Sequence, residues 1–430
     1  MKKRLIATAV VSGLLVAPYF AGKLAQTEME NMLAKMQNLP NATVSIENYH
    51  RGWFSSTADI VATISQDLPE QVEPLQITLT SKQILQHGPI LWQSNGLGFG
   101  LVDIDYNFDI AHNQNDTLEF NHTFSKDKLD SYVRIGFTGT MTSSMNLQAF
   151  QVSTEQGTFD IHAMNIDSSM TKDGQLQFSG DWQGLDFSEF DDKVLSIGKM
   201  QFSADQQVVR GDLLSYNALT VGDSNFTLAS LDILGPIESE KISMKDLNVI
   251  STSHEKDGLM YADADITVAN INAVGQEFKD FSYLVSFNKL DLDVYQEFQN
   301  VLVSNNAQQD PNHMIMQIQA LLPKLLAAGP ELKIKKLGMQ TEQGEIASQL
   351  NIEFDQDLLD ANNPMTIIMA LKADANGKAP VEFFNAIGMQ QNIEALIMQN
   401  MLVADEAEVK FDFTFANGQA LINGMPIPLG

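Results

Sequence analysis

The chain has 430 residues, 44% of them hydrophobic, with 54 acidic against 26 basic side chains, a net charge of −28 and no cysteine. The apolar content suffices for one large core or two smaller ones. The acidity excludes a nucleic-acid partner and repels anionic lipid headgroups, and the absence of cysteine excludes disulfides, thiol catalysis and zinc–thiolate sites.

The chain opens with Met1-Lys2-Lys3-Arg4, an apolar run from Leu5 to Gly22, then Lys23. A basic start feeding an apolar segment is the pattern of an export signal. Cleavage requires small residues at −3 and −1. Cuts after Ala21, Gly22 and Ala25 place Tyr19, Phe20 and Lys23 at −3, and a cut after Ala17 leaves Pro18 at +1. All four sites are poor. The positive charges hold the N-terminus inside. The reading is a retained single-pass signal anchor, N-in and C-out; the alternative is a signal peptide with an atypical site.

From Lys23 to Asn38 the spacing predicts a stalk helix continuous with the anchor, with Leu24, Met29, Met32, Leu33 and Met36 as its stripe. Leu39-Pro40-Asn41 ends it. From Ala42 the period becomes two, through Val44 and Ile46 and again through Ala58, Ile60, Ala62 and Ile64. His50-Arg51-Gly52 is a turn candidate between them. Short alternating runs continue to about 290, parted at Lys172-Asp173-Gly174, Gly222 to Asn225 and Lys256-Asp257-Gly258, which predicts an antiparallel meander.

Helical spacing returns over Leu292–Val303. After a polar break at Ser304–Pro311 it resumes over His313–Ala328, kinked at Pro323. Strands are predicted at Leu332–Thr341, Glu345–Phe354 and Met365–Ala373, and a helical block at Val381–Val403 broken near Gly388. The last element is a hairpin, Glu408–Phe415 with Gln419–Asn423, turning at Asn417-Gly418. Met314, Met316, Met365, Met369, Met389, Met398 and Met401 lie in or near the helical blocks. Thioethers fill irregular gaps and also suit adaptable apolar surfaces. Ordinary core packing is the first reading of them. A lining for a lipid-like ligand, formed by Met314, Met316, Leu321, Leu325, Met398 and Met401, is the second.

No nucleophile elbow, phosphate loop, dinucleotide fingerprint or zinc-protease helix is present. Asp103 with Asp105, Asp263 with Asp265 and Asp291 with Asp293 alternate as on the wet face of a half-buried sheet. The densest cluster is Tyr49-His50-Arg51-Gly52-Trp53-Phe54-Ser55-Ser56, and a second is His87-Gly88-Pro89. An Arg beside aromatics suits an anion or a ring, while Gly52 equally suits a tight turn anchored by Trp53 and Phe54. His50 and His87 meeting across strands would make two metal ligands, but no third can be named, so no metal or other cofactor is assigned.

At these clusters the sequence resembles the YdgA-like family of bacterial membrane-anchored envelope proteins of unknown function. The matching residues are Tyr49, His50, Arg51 and Gly52, then Phe54-Ser55-Ser56, then His87, Gly88 and Pro89, and at the end Ala416-Asn417-Gly418-Gln419 with Asn423-Gly424. Trp53 stands where the family has a smaller apolar residue. The resemblance implies an inner-membrane tether with the body in the periplasm. It implies no catalytic residues, because the family has none assigned.

The expected fold is α+β and mainly β: an extended curved antiparallel sheet with amphipathic helices packed on it, preceded by one N-terminal transmembrane helix. Its parts are a cytoplasmic tail (1–4), the transmembrane signal anchor (5–22), the stalk helix (23–39), a strand-rich periplasmic region (40–290) and a helix-containing C-terminal part of the same sheet (291–430). The expected function is non-enzymatic, sheltering or transferring a lipid-like hydrophobic ligand. The alternative is a self-associating envelope scaffold or assembly factor. The expected partners are the inner membrane through the N-terminal helix, a lipid or an envelope protein, and a second copy of the chain.

Overall fold

The computed structural model describes residues 2–36, 42–66, 75–93, 96–113, 121–123, 128–153, 157–189, 192–213, 218–235, 241–273, 275–304, 311–359 and 365–427. Leu39-Pro40-Asn41 and most of the polar break at 305–310 lie outside them. The protein is mainly β, built from antiparallel strand pairs. Its contacts divide it into two compact units, Met1–Asp192 with Ser203–Ala218, and Lys193–Phe202 with Leu219–Gly430.

The first unit begins with α1 (Lys2–Met36), which runs through Pro18 without a break. Strands β1 (Ala42–Arg51), β2 (Ser55–Gln66), β3 (Leu75–His87), β4 (Ile90–Gln93), β5 (Gly96–Phe99), β6 (Val102–Asn113), β7 (Asn121–Thr123), β8 (Leu129–Ile135) and β9 (Met141–Leu147) follow. β1, β2, β3, β6, β8 and β9 each pair with the next. The sheet continues through Met164–Met170 to Gln175–Trp182. β4 and β5 form a separate hairpin between β3 and β6.

The second half of α1 lies along this sheet. Ala25 and Met29 are buried with Ala58, Leu85 and Val102, flanked by Ile46, Tyr49, Ile60 and Ile104. The buried helix face is Ala21, Ala25, Met29 and Leu33. Leu24, expected on the stripe, is exposed instead. Two alanines, a turn apart, let the helix backbone approach the strands, where a leucine would hold it off. A bulge between Glu47 and His50 shifts the alternation of β1. Tyr49 therefore faces the same side as Ile46 and joins that core.

In the second unit, strands Leu219–Ile233, Ile242–Lys256, Leu259–Ala273 and Gln276–Asp291 form a meander. It continues through Glu331–Thr341, Gly344–Phe354, Leu371–Pro380, Glu408–Ala416 and Gln419–Ile422. Asp257-Gly258 and Asn417-Gly418 both have positive φ at both positions, the geometry that two-residue hairpins require. Helices α2 (Leu292–Ser304) and α3 (Pro311–Ala327) join two of the strands. Asp291 caps α2, its carboxylate accepting from the amides of Asp293 and Val294 at 3.0 Å. α4 (Met365–Ala370), α5 (Val381–Ala386) and α6 (Gln390–Met398) follow. Ile393 of α6 is buried with Ala379 and Val409, packed by Phe384 and Leu396.

Three expectations are corrected. Met365–Ala370 is helical, and the strand begins at Leu371 rather than Met365; a six-residue stretch does not by itself reveal its period. Gly222 to Asn225 is not a turn but the middle of a strand, with Asp223 opposite Thr252. The last helical block stops at Met398, and Val403 begins a short strand.

Candidate functional site

The two motif clusters meet at one end of the first unit's sheet, where they grip α1. The register sets Ser55 opposite Gln86, and His87 opposite Val102. Ser56 and His87 are both buried, with Ser56 Oγ 2.9 Å from His87 Nε2. The other ring nitrogen, Nδ1, is 3.2 Å from the carbonyl oxygen of Trp53. A carbonyl only accepts, so Nδ1 carries the proton. In the neutral ring Nε2 then accepts from the Ser56 hydroxyl. Burial pushes the His87 pKa below the ordinary value; the Trp53 carbonyl opposes this and the Arg51 charge reinforces it.

Gly22 of α1 covers the His87 ring. A Cβ at position 22 would lie 2.5 Å from Nδ1 and 2.7 Å from Nε2. One turn nearer the N-terminus, the ring of Tyr19 lies 5.2 Å from that of Trp53, and the Arg51 guanidinium stands 5.2 Å above it. Arg51 also donates to the Gln26 side chain at 3.3 Å. Gly52 closes the turn, its amide donating to the Ser55 carbonyl at 2.8 Å. The His87 amide donates to the Phe54 carbonyl, also at 2.8 Å.

His87-Gly88-Pro89 also seats the β4–β5 hairpin. A Cβ on Gly88 would overlap the Gly100 carbonyl, and the Gly88 amide donates to Leu101 at 2.7 Å. Gly98 lies against the Arg134 guanidinium, with the Arg134 nitrogens 2.7 and 2.8 Å from a Cβ built there. Arg134 pairs with Asp103 at 2.6 Å. Asp103 is fully buried, so it does not lie on a wet face as its alternation with Asp105 suggested. Burial raises its pKa, against the Arg134 hydrogen bond and charge. Asp263 differs, its carboxylate accepting from Lys335 at 2.6 Å and from Ser286, and its pKa is lowered chiefly by those bonds.

The structure therefore brings together Tyr49, Arg51, Gly52 and His87 around α1, but not His50. His50 is exposed on β1, and β2 lies between it and β3. Among the described residues no group of three or more His, Asp or Glu is placed to hold a metal ion. Ser56 and His87 have the spacing of a nucleophile and base, but both are buried and Gly22 covers the imidazole. Sequence reasoning missed Gly22 as a participant, and named Ser56 within its cluster without pairing it to His87. Their separation from His87 along the chain left no local signal.

In the second unit, Met316 and Met398 are 67% and 78% exposed, and Met314, Leu321, Leu325 and Met401 are half-buried. Two hollows in that unit are lined by residues such as Lys378, Lys410 and Phe411, and Glu331, Asp355 and Lys372. Neither is lined by these methionines and leucines. Among the described residues no helix is long and apolar enough to cross a membrane. The side chains of residues 2–15, most of the run Leu5–Gly22, lie outside the description.

A family model described as a bacterial protein of unknown function (DUF945) matches residues 1–430. Protein YdgA of Escherichia coli (strain K12) is 21% identical over 490 residues, which cover 100% of this chain and 95% of that protein. No solved structure matches.

Proposed function

We propose a function for this chain, which belongs to the DUF945 family of bacterial proteins of unknown function: a non-catalytic protein of the cell envelope, tethered by α1 to the inner membrane, that shelters or transfers a lipid-like hydrophobic ligand in the periplasm. In this reading Leu5–Gly22 is the membrane span, and the exposed apolar surface of α3 and α6 supplies the shelter. The supporting observation is the exposed apolar surface of α3 and α6. Met316 and Met398 stand out in solvent, with Ile315, Leu322 and Met389 also exposed. Thioethers at such positions adapt to irregular acyl surfaces. Catalysis finds no support at the motif clusters, where Ser56 and His87 are both buried and Gly22 covers the imidazole.

The test is photocrosslinking of the full chain in its native membrane, using a phospholipid with a photoreactive acyl chain. Adducts on α3 and α6 are expected, and Met316→Ser with Met398→Ser removes them. Adducts confined to residues 5–22 would overturn the shelter and leave the tether. Protein–protein crosslinks through α3 and α6 without lipid adducts would favour the self-associating scaffold.

A further inference from the structure

We propose that the α1-gripping end of the first unit's sheet is a membrane-contact face, seated in the headgroup layer of the bilayer that α1 enters. This rests on the reading of Leu5–Gly22 as the span. Eighteen helical residues reach about 27 Å, barely the roughly 30 Å hydrocarbon thickness of a bilayer. Yet the last four of them are not free. Tyr19 is held against Trp53 and under Arg51, and Gly22 against His87. A run that needs its whole length to cross must draw the strand ends that hold it down to the lipid surface.

Those strand ends have the surface such a position requires. The turn 52–54 carries Trp53 and Phe54, 51% and 56% exposed. The β4–β5 hairpin carries Ile90, Trp92, Leu97 and Phe99, with Trp92 at 74%. Phe137, in the turn that follows β8, is exposed at the same end, because Ile135 is opposite Val102 and Val102 opposite His87. From β1 to β9 this row of strand ends is roughly 25 Å wide. Trp and Tyr favour the membrane–water interface, where one part of the ring is apolar and the rest is wet.

The charge pattern agrees. Residues 16–26, 50–56, 87–101 and 134–142 together contain no Asp or Glu, in a chain that has 54. The acidity that would repel a membrane surface is absent where the rings are exposed. Two of the three tryptophans, Trp53 and Trp92, lie here.

The experiment uses the full chain carrying Trp182→Phe, reconstituted in phosphatidylcholine vesicles whose acyl chains are brominated at a shallow or a deep position. Loss of Trp53 and Trp92 emission is expected, greater with shallow than with deep bromine, and Trp53→Phe leaves quenching of Trp92 alone. Unquenched emission from a chain that resists alkaline carbonate extraction would overturn the contact face and leave the span intact. Release of the chain by carbonate would overturn the span, and the contact face with it.

Discussion

Gly22 of α1 rests on the imidazole of His87, so closely that no side chain fits between the helix and the ring. The contact ties the apolar N-terminal run to the end of a β-sheet, and gives a steric reason for a glycine at position 22. Replacing Gly22 by Leu is expected to lift α1 from β2 and β3 and to destabilise the first unit by about 1–3 kcal/mol. Lys23→Leu, on the exposed face, is the control. Denaturant midpoints and protease cleavage within residues 24–34 measure both.

The buried, neutral His87 makes stability depend on pH. In the unfolded chain the ring titrates near the ordinary value of about 6.5, and in the fold its pKa is lower. The unfolded state therefore takes up the proton first as pH falls. The stabilisation is fully present above about pH 6.5 and is lost progressively from there down through the folded pKa. His87→Gln is expected to flatten that part of the profile, as read from urea midpoints between pH 8 and 5. An unchanged slope would show that His87 does not titrate with unfolding.

Arg134 is the counter-charge of a fully buried carboxylate. Arg134→Met is expected to cost about 3–5 kcal/mol, because it removes the counter-charge of a buried carboxylate. Arg134→Met with Asp103→Leu should recover much of the loss. The single variant should also lose less at acid pH, where Asp103 is neutral. A double-mutant cycle of unfolding free energies at two pH values checks all three expectations.

Gly88 faces the Gly100 carbonyl with no room for a methyl group. Gly88→Ala is expected to unseat the β4–β5 hairpin at a cost of about 3 kcal/mol. The check is the emission of Trp92, whose amide donates to the Gln86 side chain at 2.7 Å. Gly96→Ala, where a Cβ meets nothing within 4 Å but φ is +96°, should cost less.

The residues that read correctly from sequence are those whose signal is local. Asp257-Gly258 and Asn417-Gly418 announce their hairpins because few other pairs accept positive φ twice. Gly388 announces the break between α5 and α6, its φ of +76° being foreign to a helix. Met365–Ala370 misled because so short a stretch fits either period. Gly222 misled because a glycine in an extended strand resembles one in a turn; its amide in fact donates to Ser253 at 3.1 Å. The clamp was legible only as two dense motifs. Gly22, Ser56 and His87 meet through tertiary packing, which no spacing along the chain encodes.

The measurement that bears most directly on the account is the sidedness of the chain in intact cells. Because it has no cysteine, Lys3→Cys and Lys256→Cys each introduce a single label site, before the apolar run and at the exposed end of a strand of the second unit. With a membrane-impermeant maleimide on spheroplasts, Lys256→Cys is expected to label at once and Lys3→Cys only after lysis. Equal labelling of the two without lysis would contradict a helix that crosses the membrane and holds its sheet on the far side.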